Sequence, residues 1–419
     1  MTMHSATLAM NEAMEARRAA GENVLHLGFG EAGLPVPESV AKVLATAAPL
    51  NSYGSVAGSN EARSAAAGWF SRRGHETEAS QIIFAPGSKA LLFGLLSVLD
   101  GDLVLPCPSW VSYAAQADLV GKAVINVPIP QESGGIPDPA LLEAALESAI
   151  RDGRKPGAIL LTIPDNPTGT VADAGHVEAI CRTAAKYDLA IISDEIYAEL
   201  SYDSAAPTPL SVAPDRTIVT SGLSKSMALG GWRIGFARVP KTDWGSELMQ
   251  QLIGVGSEIW SSLAAPMQAV AAHVLSEPLD VTEHIRRARF LHSTVGNAVY
   301  AEFIGAGALC RRPTAGFYLY PDFEPVRPRL AVKGIQTGPQ LVQRLLDCYG
   351  VGVLDGTAFG DDESNLRARV ATSLLYGSTI DERWRSLHSD DPIELPWIAK
   401  ELAYLHGSLR DLVRGTNEA

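Results

Sequence analysis

The sequence predicts an α/β fold, with a large lobe built on a mostly parallel seven-stranded sheet flanked by helices and a smaller α+β lobe joined to it. Three observations carry this. Seven short apolar runs between Ile82 and Ala237 alternate with longer helical patterns. Several of these runs are continuous rather than alternating, as suits strands covered on both faces. A long helical pattern, Asp280 to Phe303, then ends at Gly305 and Gly307, where a second lobe begins.

The runs are Ile82 to Phe84, Leu103 to Leu105, Val124 to Ile125, Ile159 to Leu161, Ile191 to Ser193, Ile218 to Thr220 and Ile234 to Phe236. Helical patterns fall at Ala90 to Leu99, Ser112 to Gly121, Pro139 to Arg151, Gly175 to Tyr187 and Pro266 to Leu275. In the second lobe, strands are expected near Phe317 to Tyr320, Val351 to Leu354 and Ala368 to Thr372, with a helix from Gln340 to Tyr349 between them. The segment before the sheet has no core of its own, so residues 1–44 are assigned to the small lobe, 45–285 to the large lobe and 286–419 to the rest of the small lobe. Asp390 to Ala419 reads as helix without an assigned purpose.

At 419 residues and 46% hydrophobic composition the chain can bury a large core. A net charge of -13 and the lack of a basic stripe exclude a nucleic-acid surface. The four cysteines lie far apart and form no metal-binding or redox pair. Residues 1–21 are broken by Glu12, Glu15, Arg17 and Arg18, so no secretory signal is expected there, and nothing approaches the ~20 apolar residues of a membrane span. A cytoplasmic protein acting on small molecules is expected.

Gly28, Gly30 and Gly33 spell G-x-G-x-x-G, but Leu34-Pro35-Val36-Pro37 follows, so no helix N-terminus is there to hold a pyrophosphate. The chemistry lies instead at the strand ends. Ser224-Lys225 sits directly after the run to Thr220, with Arg233 eight residues beyond the lysine. Asp194 ends a buried run, where a carboxylate is costly without a partner; a protonated ring nitrogen would supply one. Tyr197 follows one turn later. Asn166 precedes Pro167, which biases it to an extended conformation that projects its amide from the strand edge. Gly87-Ser88-Lys89 opens a helix and offers an anion site, which Arg233 is placed to clamp. Trp110 offers a flat face for an aromatic ring.

Taken in order, Gly87-Ser88-Lys89, Trp110, Asn166-Pro167-x-Gly169, Asp194-x-x-Tyr197 and Ser224-Lys225 with Arg233 resemble the class I/II aminotransferases, fold-type I enzymes of the aspartate aminotransferase group. The resemblance implies pyridoxal 5'-phosphate held as a Schiff base on Lys225. It implies phosphate contacts at Gly87, Ser88, Lys89 and Arg233, ring stacking by Trp110, Asp194 on the ring nitrogen, and Asn166 and Tyr197 on the ring oxygen. Tyr53 matches a tyrosine that reaches the phosphate of a neighbouring subunit, so a homodimer with shared sites is implied. Arg367, chosen over Arg369, matches the arginine that grips the substrate α-carboxylate, and Gly30 lies against that carboxylate. Gly222 stands where many members carry a serine, leaving Ser221 or Ser224 for that phosphate contact. Asp355 replaces a usual proline, and Ala32-Gly33 a common Pro-Asp.

The expected reaction moves an amino group from an L-amino acid to a 2-oxo acid, with Lys225 as base on the Cα proton. Thr242 to Glu283 contains no Lys or Arg, where dicarboxylate-specific members often present an arginine; an apolar, aromatic or basic donor is therefore expected. Lyases, cyclases and oxidases of the same fold type share Lys225, Asp194 and Arg367, so the motifs leave those reactions open. No metal is expected.

Overall fold

The computed structural model describes residues 6–130 and 134–414. The seven apolar runs all lie in strands of one sheet: β1 (Ile82–Pro86), β2 (Asp102–Cys107), β3 (Val124–Pro128), β4 (Pro156–Thr162), β5 (Ala190–Asp194), β6 (Thr217–Gly222) and β7 (Ile234–Arg238). Their order across the sheet is β1-β7-β6-β5-β4-β2-β3, with β7 antiparallel to both neighbours and the other pairings parallel. The sequence pattern follows from position. Every residue of β6 and β7 is buried, as expected for central strands with helices on both faces. At the edge, β3 alternates, burying Ile125 and Val127 while Asn126 and Pro128 face solvent.

One face of the sheet is covered by helices Ser88–Val98, Val111–Leu119 and Asp243–Ile259, with Leu92, Leu95 and Leu252 in its core. The other carries Pro139–Arg151 and Ala174–Lys186, packed through Leu142, Leu146 and Ile180. The 13-residue helix Asn60–Arg72, rich in Ala and Ser, gives no clear apolar stripe in the sequence, yet it packs closely against Ala265–Leu275.

In the second lobe, Leu25–His26 pairs in parallel with Val351–Gly352, and Ala368–Ala371 is flanked by antiparallel Leu354–Asp355 and Tyr318–Leu319. Leu25, Leu27 and Leu34 belong to its core. Helix Glu38–Ala47, however, places Val40 in the core around Ala66 and Phe70, against the large lobe. The helix Leu279–Gly305 runs unbroken between the lobes: Val281 and Ile285 pack in that same large-lobe core, Ala288, Leu291 and Val295 in the small-lobe core. The C-terminal helix Pro396–Val413 buries Ile398, Leu405 and Leu409 in the small lobe; residues 415–419 lie outside the described residues. Among the described residues no helix is long and apolar enough to cross a membrane, and no cluster of three metal-ligating side chains occurs.

Candidate active site

The parallel strands all point their C-terminal ends to one side of the sheet, where the crevice of an open α/β fold collects its ligands. There a cavity of about 330 Å³ opens between the lobes. Ser88 and Lys89 come to it from the end of β1, Trp110 from β2, Asn166 from β4, Asp194 and Tyr197 from β5, and Ser224, Lys225 and Arg233 from the β6–β7 connection. Gly30 and Tyr318 close it from the small lobe.

Lys225 lies in the short turn of helix Leu223–Ser226 directly after β6, and its Nζ donates to the Gly30 carbonyl at 2.6 Å. Burial lowers its pKa to about 8, with the Arg369 charge adding to the effect. The amine is thereby brought closer to the neutral, nucleophilic form at physiological pH.

Asp194, the last residue of β5, is 2% exposed. Its Oδ2 accepts from the Tyr113 hydroxyl at 2.8 Å, while Oδ1 is buried with no partner. Asn166 Oδ1 is likewise buried and unpartnered. The turn that presents it is held by Asp165, whose Oδ2 accepts from Thr168 N at 3.0 Å and Thr168 Oγ1 at 2.5 Å. Two unpartnered acceptors on residues that line one cavity are costly unless a ligand satisfies them.

Burial raises the Asp194 pKa from 3.8 to about 6. A folded-state value above the unfolded one means that the carboxyl costs stability as pH rises through this interval, and none below it. In ligand-free protein, Asp194→Asn should therefore gain stability relative to the parent chain between about pH 4 and about pH 7, by on the order of 3 kcal/mol. Urea unfolding at both pH values measures the gap; a gap unchanged by pH contradicts the assignment.

The anion cradle depends on glycine. Gly87 has φ +86°, and a Cβ there would stand 2.2 Å from Arg233 Nη2. A Cβ on Gly235 would meet the Gly87 carbonyl carbon at 2.2 Å. Only side-chain-free backbone lets β1 and β7 bring the helix N-terminus and Arg233 to one point. Arg233 Nη1 donates to the Gly230 carbonyl at 2.9 Å. Trp110 stands edge-on to Tyr113 at 5.2 Å, with Lys89 Nζ 4.9 Å from its ring centroid. Of the two serines considered beside Lys225, Ser224 lines the cavity, whereas Ser221 is buried with its Oγ 3.4 Å from the Glu195 carbonyl. Gly222 itself is required by packing, since a Cβ would meet the Ile234 carbonyl at 2.6 Å.

The expectation for Arg367 needs correction. Its Nε is 2.8 Å from Asp322 Oδ2 and its Nη1 3.2 Å from Asp361 Oδ1, and it lines a separate small pocket. Arg369, with Arg233, lines the cavity instead: it is 1% exposed, its guanidinium carbon 5.0 Å from the Tyr318 ring centroid, Nη2 donating to the Gly28 carbonyl at 2.6 Å, and Nε unpartnered. Residues spaced by two share a face of a strand, so alternation could not separate them; the two aspartates beside Arg367 do. Tyr53 does not line the cavity and is 92% exposed.

Three contributors were not read from the sequence. Tyr113 holds Asp194, Tyr318 meets Tyr197, and the helix Ala6–Ala19 brings Thr7 and Leu8 to the cavity mouth beside Phe29 and Glu31. The spacing of Tyr113 three residues after Trp110 was the only local hint of the first.

A family model described as aminotransferase class I and II matches residues 22–374. Similar proteins include the aspartate aminotransferase of Bacillus subtilis, 30% identical with 88% of this chain and 92% of that protein covered. The aspartate/prephenate aminotransferase of Thermus thermophilus is 31% identical, also covering 88% and 92%. Among solved structures, Thermus thermophilus aspartate aminotransferase with maleate superposes with a TM-score of 0.80 at 28% identity, covering 92% of this chain and 96% of the other.

Proposed function

The chain belongs to the class I and II aminotransferases and is a pyridoxal-phosphate-dependent enzyme; from that premise we propose how its own residues divide the work. The observation that carries the assignment is the set of unsatisfied groups around Lys225. Asp194 Oδ1 and Asn166 Oδ1 await partners, and the Gly87–Arg233 cradle suits a phosphate. The donor set fits the cofactor. When bound, pyridoxal phosphate supplies a carbonyl carbon for amine exchange and a protonated ring that accepts an electron pair.

Asp194, oriented by Tyr113, would keep the ring nitrogen protonated, and Asn166 and Tyr197 would hold the ring oxygen. Trp110 would cover the ring face. Ser88, Lys89, Ser224, Arg233 and the Gly87 backbone would take the phosphate. Lys225 Nζ would carry the cofactor and, once released by the substrate amine, take the proton from the substrate Cα. Arg369, in place of Arg367, would grip the α-carboxylate against Gly30, because it is the buried guanidinium that faces the cavity with an unpartnered Nε.

The donor is proposed to be apolar, aromatic or basic. Leu8, Phe29 and Glu31 stand at the mouth, and Thr242 to Glu283 supplies no cation. One observation favours a second reading: Lys89, whose Nζ lies 4.9 Å from the Trp110 ring centroid, is a cation in the cavity lining, and the relatives named above are aspartate and aspartate/prephenate aminotransferases. A steady-state panel of amino acids with a 2-oxo acid acceptor decides between them. The first reading expects kcat/KM for the best neutral or basic donor to exceed that for aspartate by about tenfold, ~1.4 kcal/mol. Aspartate as clearly the best donor overturns it, and release of ammonia or consumption of oxygen in place of amino transfer overturns transamination.

The exposed Tyr53 fits a contact across a homodimer, where it would reach the partner's phosphate site. Light scattering tests the dimer, and a monomer with full activity excludes shared sites. Free Cys107, Cys181, Cys310 and Cys348 fit residence in a reducing cytoplasm, which cell fractionation tests.

A further inference from the structure

Tyr318 extends from strand Tyr318–Leu319 into the cavity and is 2% exposed. Its hydroxyl lies 2.9 Å from that of Tyr197 and 3.4 Å from the Gly30 carbonyl, the same carbonyl that accepts from Lys225 Nζ at 2.6 Å. Space for this contact is reserved in the backbone, since a Cβ on Gly30 would stand 2.3 Å from the Tyr318 hydroxyl. The Arg369 guanidinium lies over the Tyr318 ring.

Two phenols in contact share one donated proton, so the third partner decides its direction. The Gly30 carbonyl can only accept. If Tyr318 donates to Gly30, Tyr197 must donate to Tyr318, and the Tyr197 proton turns away from the cofactor site. If Tyr318 donates to Tyr197, the Tyr197 proton is free to face that site. The 2.9 Å contact is made in either arrangement, so the choice turns on what Tyr318 forgoes: a long 3.4 Å donation to a Gly30 carbonyl that already accepts from Lys225 at 2.6 Å, a smaller gain than a Tyr197 proton on an anionic ring oxygen.

We propose that Tyr318 is a positioning residue that donates to the Tyr197 oxygen and so aims the Tyr197 proton at the ring oxygen of the bound cofactor. The inference rests on the reading of Tyr197 as a cofactor contact. The charged and titratable groups facing the pair are Lys225, through Gly30 and directly at 6.0 Å from the Tyr197 ring centroid, Arg369 across the Tyr318 ring, and Asp194 beside Tyr197. Phenylalanine removes the hydroxyl and keeps the ring that packs under Arg369.

The test is the pH titration of cofactor absorbance in the loaded, substrate-free enzyme, for the parent chain, Tyr318→Phe, Tyr197→Phe and the double variant. Tyr318→Phe is expected to move the midpoint in the same direction as Tyr197→Phe and by less, about 0.5–1 pH unit, the worth of one hydrogen bond. The double variant should titrate like Tyr197→Phe alone, because Tyr318 acts through Tyr197. A Tyr318→Phe midpoint equal to the parent's, with Tyr197→Phe shifted, overturns the positioning role while leaving the Tyr197 contact intact. Additive shifts in the double variant also overturn it. No shift in Tyr197→Phe overturns the underlying contact and the inference with it.

Discussion

Lys225→Ala is expected to lower turnover by at least about 10⁴-fold while leaving the fold and reversible cofactor binding in place. One amine is assigned both the attachment and the proton transfer, and positioned acid–base catalysis alone is worth about 10²–10⁴. Removing it does not open the core: Lys225 sits in a cavity, and its hydrogen bond goes to a backbone carbonyl, Gly30. Lys225→Arg should fail equally, since a guanidinium is permanently charged and cannot serve as nucleophile or base. Single-turnover kinetics on cofactor-loaded variants measure the loss. Alanine retaining more than about a hundredth of the parent rate would assign the chemistry elsewhere, with Lys89 the other cavity amine.

Arg369→Gln carries the second large effect. Truncating one partner of a buried, charge-assisted pair costs about 2–5 kcal/mol, or about 30-fold to several thousandfold in kcat/KM. The loss should fall mainly on substrate affinity, and amines lacking the α-carboxylate should show little of it. Arg367→Gln provides the contrast. Its partners are Asp322 and Asp361 in another pocket, so the expected result is reduced stability with kcat/KM within about threefold of the parent, as for removal of a part-exposed ion pair. The reverse ranking would restore Arg367 as the carboxylate contact.

These two arginines also mark where sequence reasoning stops. The groups proposed to hold the cofactor could be gathered from the sequence because most of them lie at or just beyond the C-terminal end of a strand. Asn166 follows β4, Asp194 ends β5, Lys225 follows β6, and the Gly87 turn follows β1, so naming the strands placed the motifs at one sheet edge. The substrate side depends on contacts between segments far apart in the chain. Period two puts Arg367 and Arg369 on one face, and only Asp322 and Asp361, brought in by tertiary folding, separate them. Tyr113 reaches Asp194 across 81 positions and Tyr318 reaches Tyr197 across 121, and no local pattern encodes either contact. The fold shows the same division. Val- and Ile-rich strands announced themselves, whereas helix Asn60–Arg72, built largely from Ala, Ser and Arg, gains its place from packing against Ala265–Leu275.

The central claim is that Lys225, among the two lysines of the cavity, carries the cofactor. Borohydride reduction of the loaded enzyme, followed by proteolysis and mass spectrometry of the modified peptide, tests it most directly. The label is expected on Lys225 alone and should be lost when substrate amino acid is added before reduction. A label on Lys89, or none in a fully loaded preparation, would contradict the account.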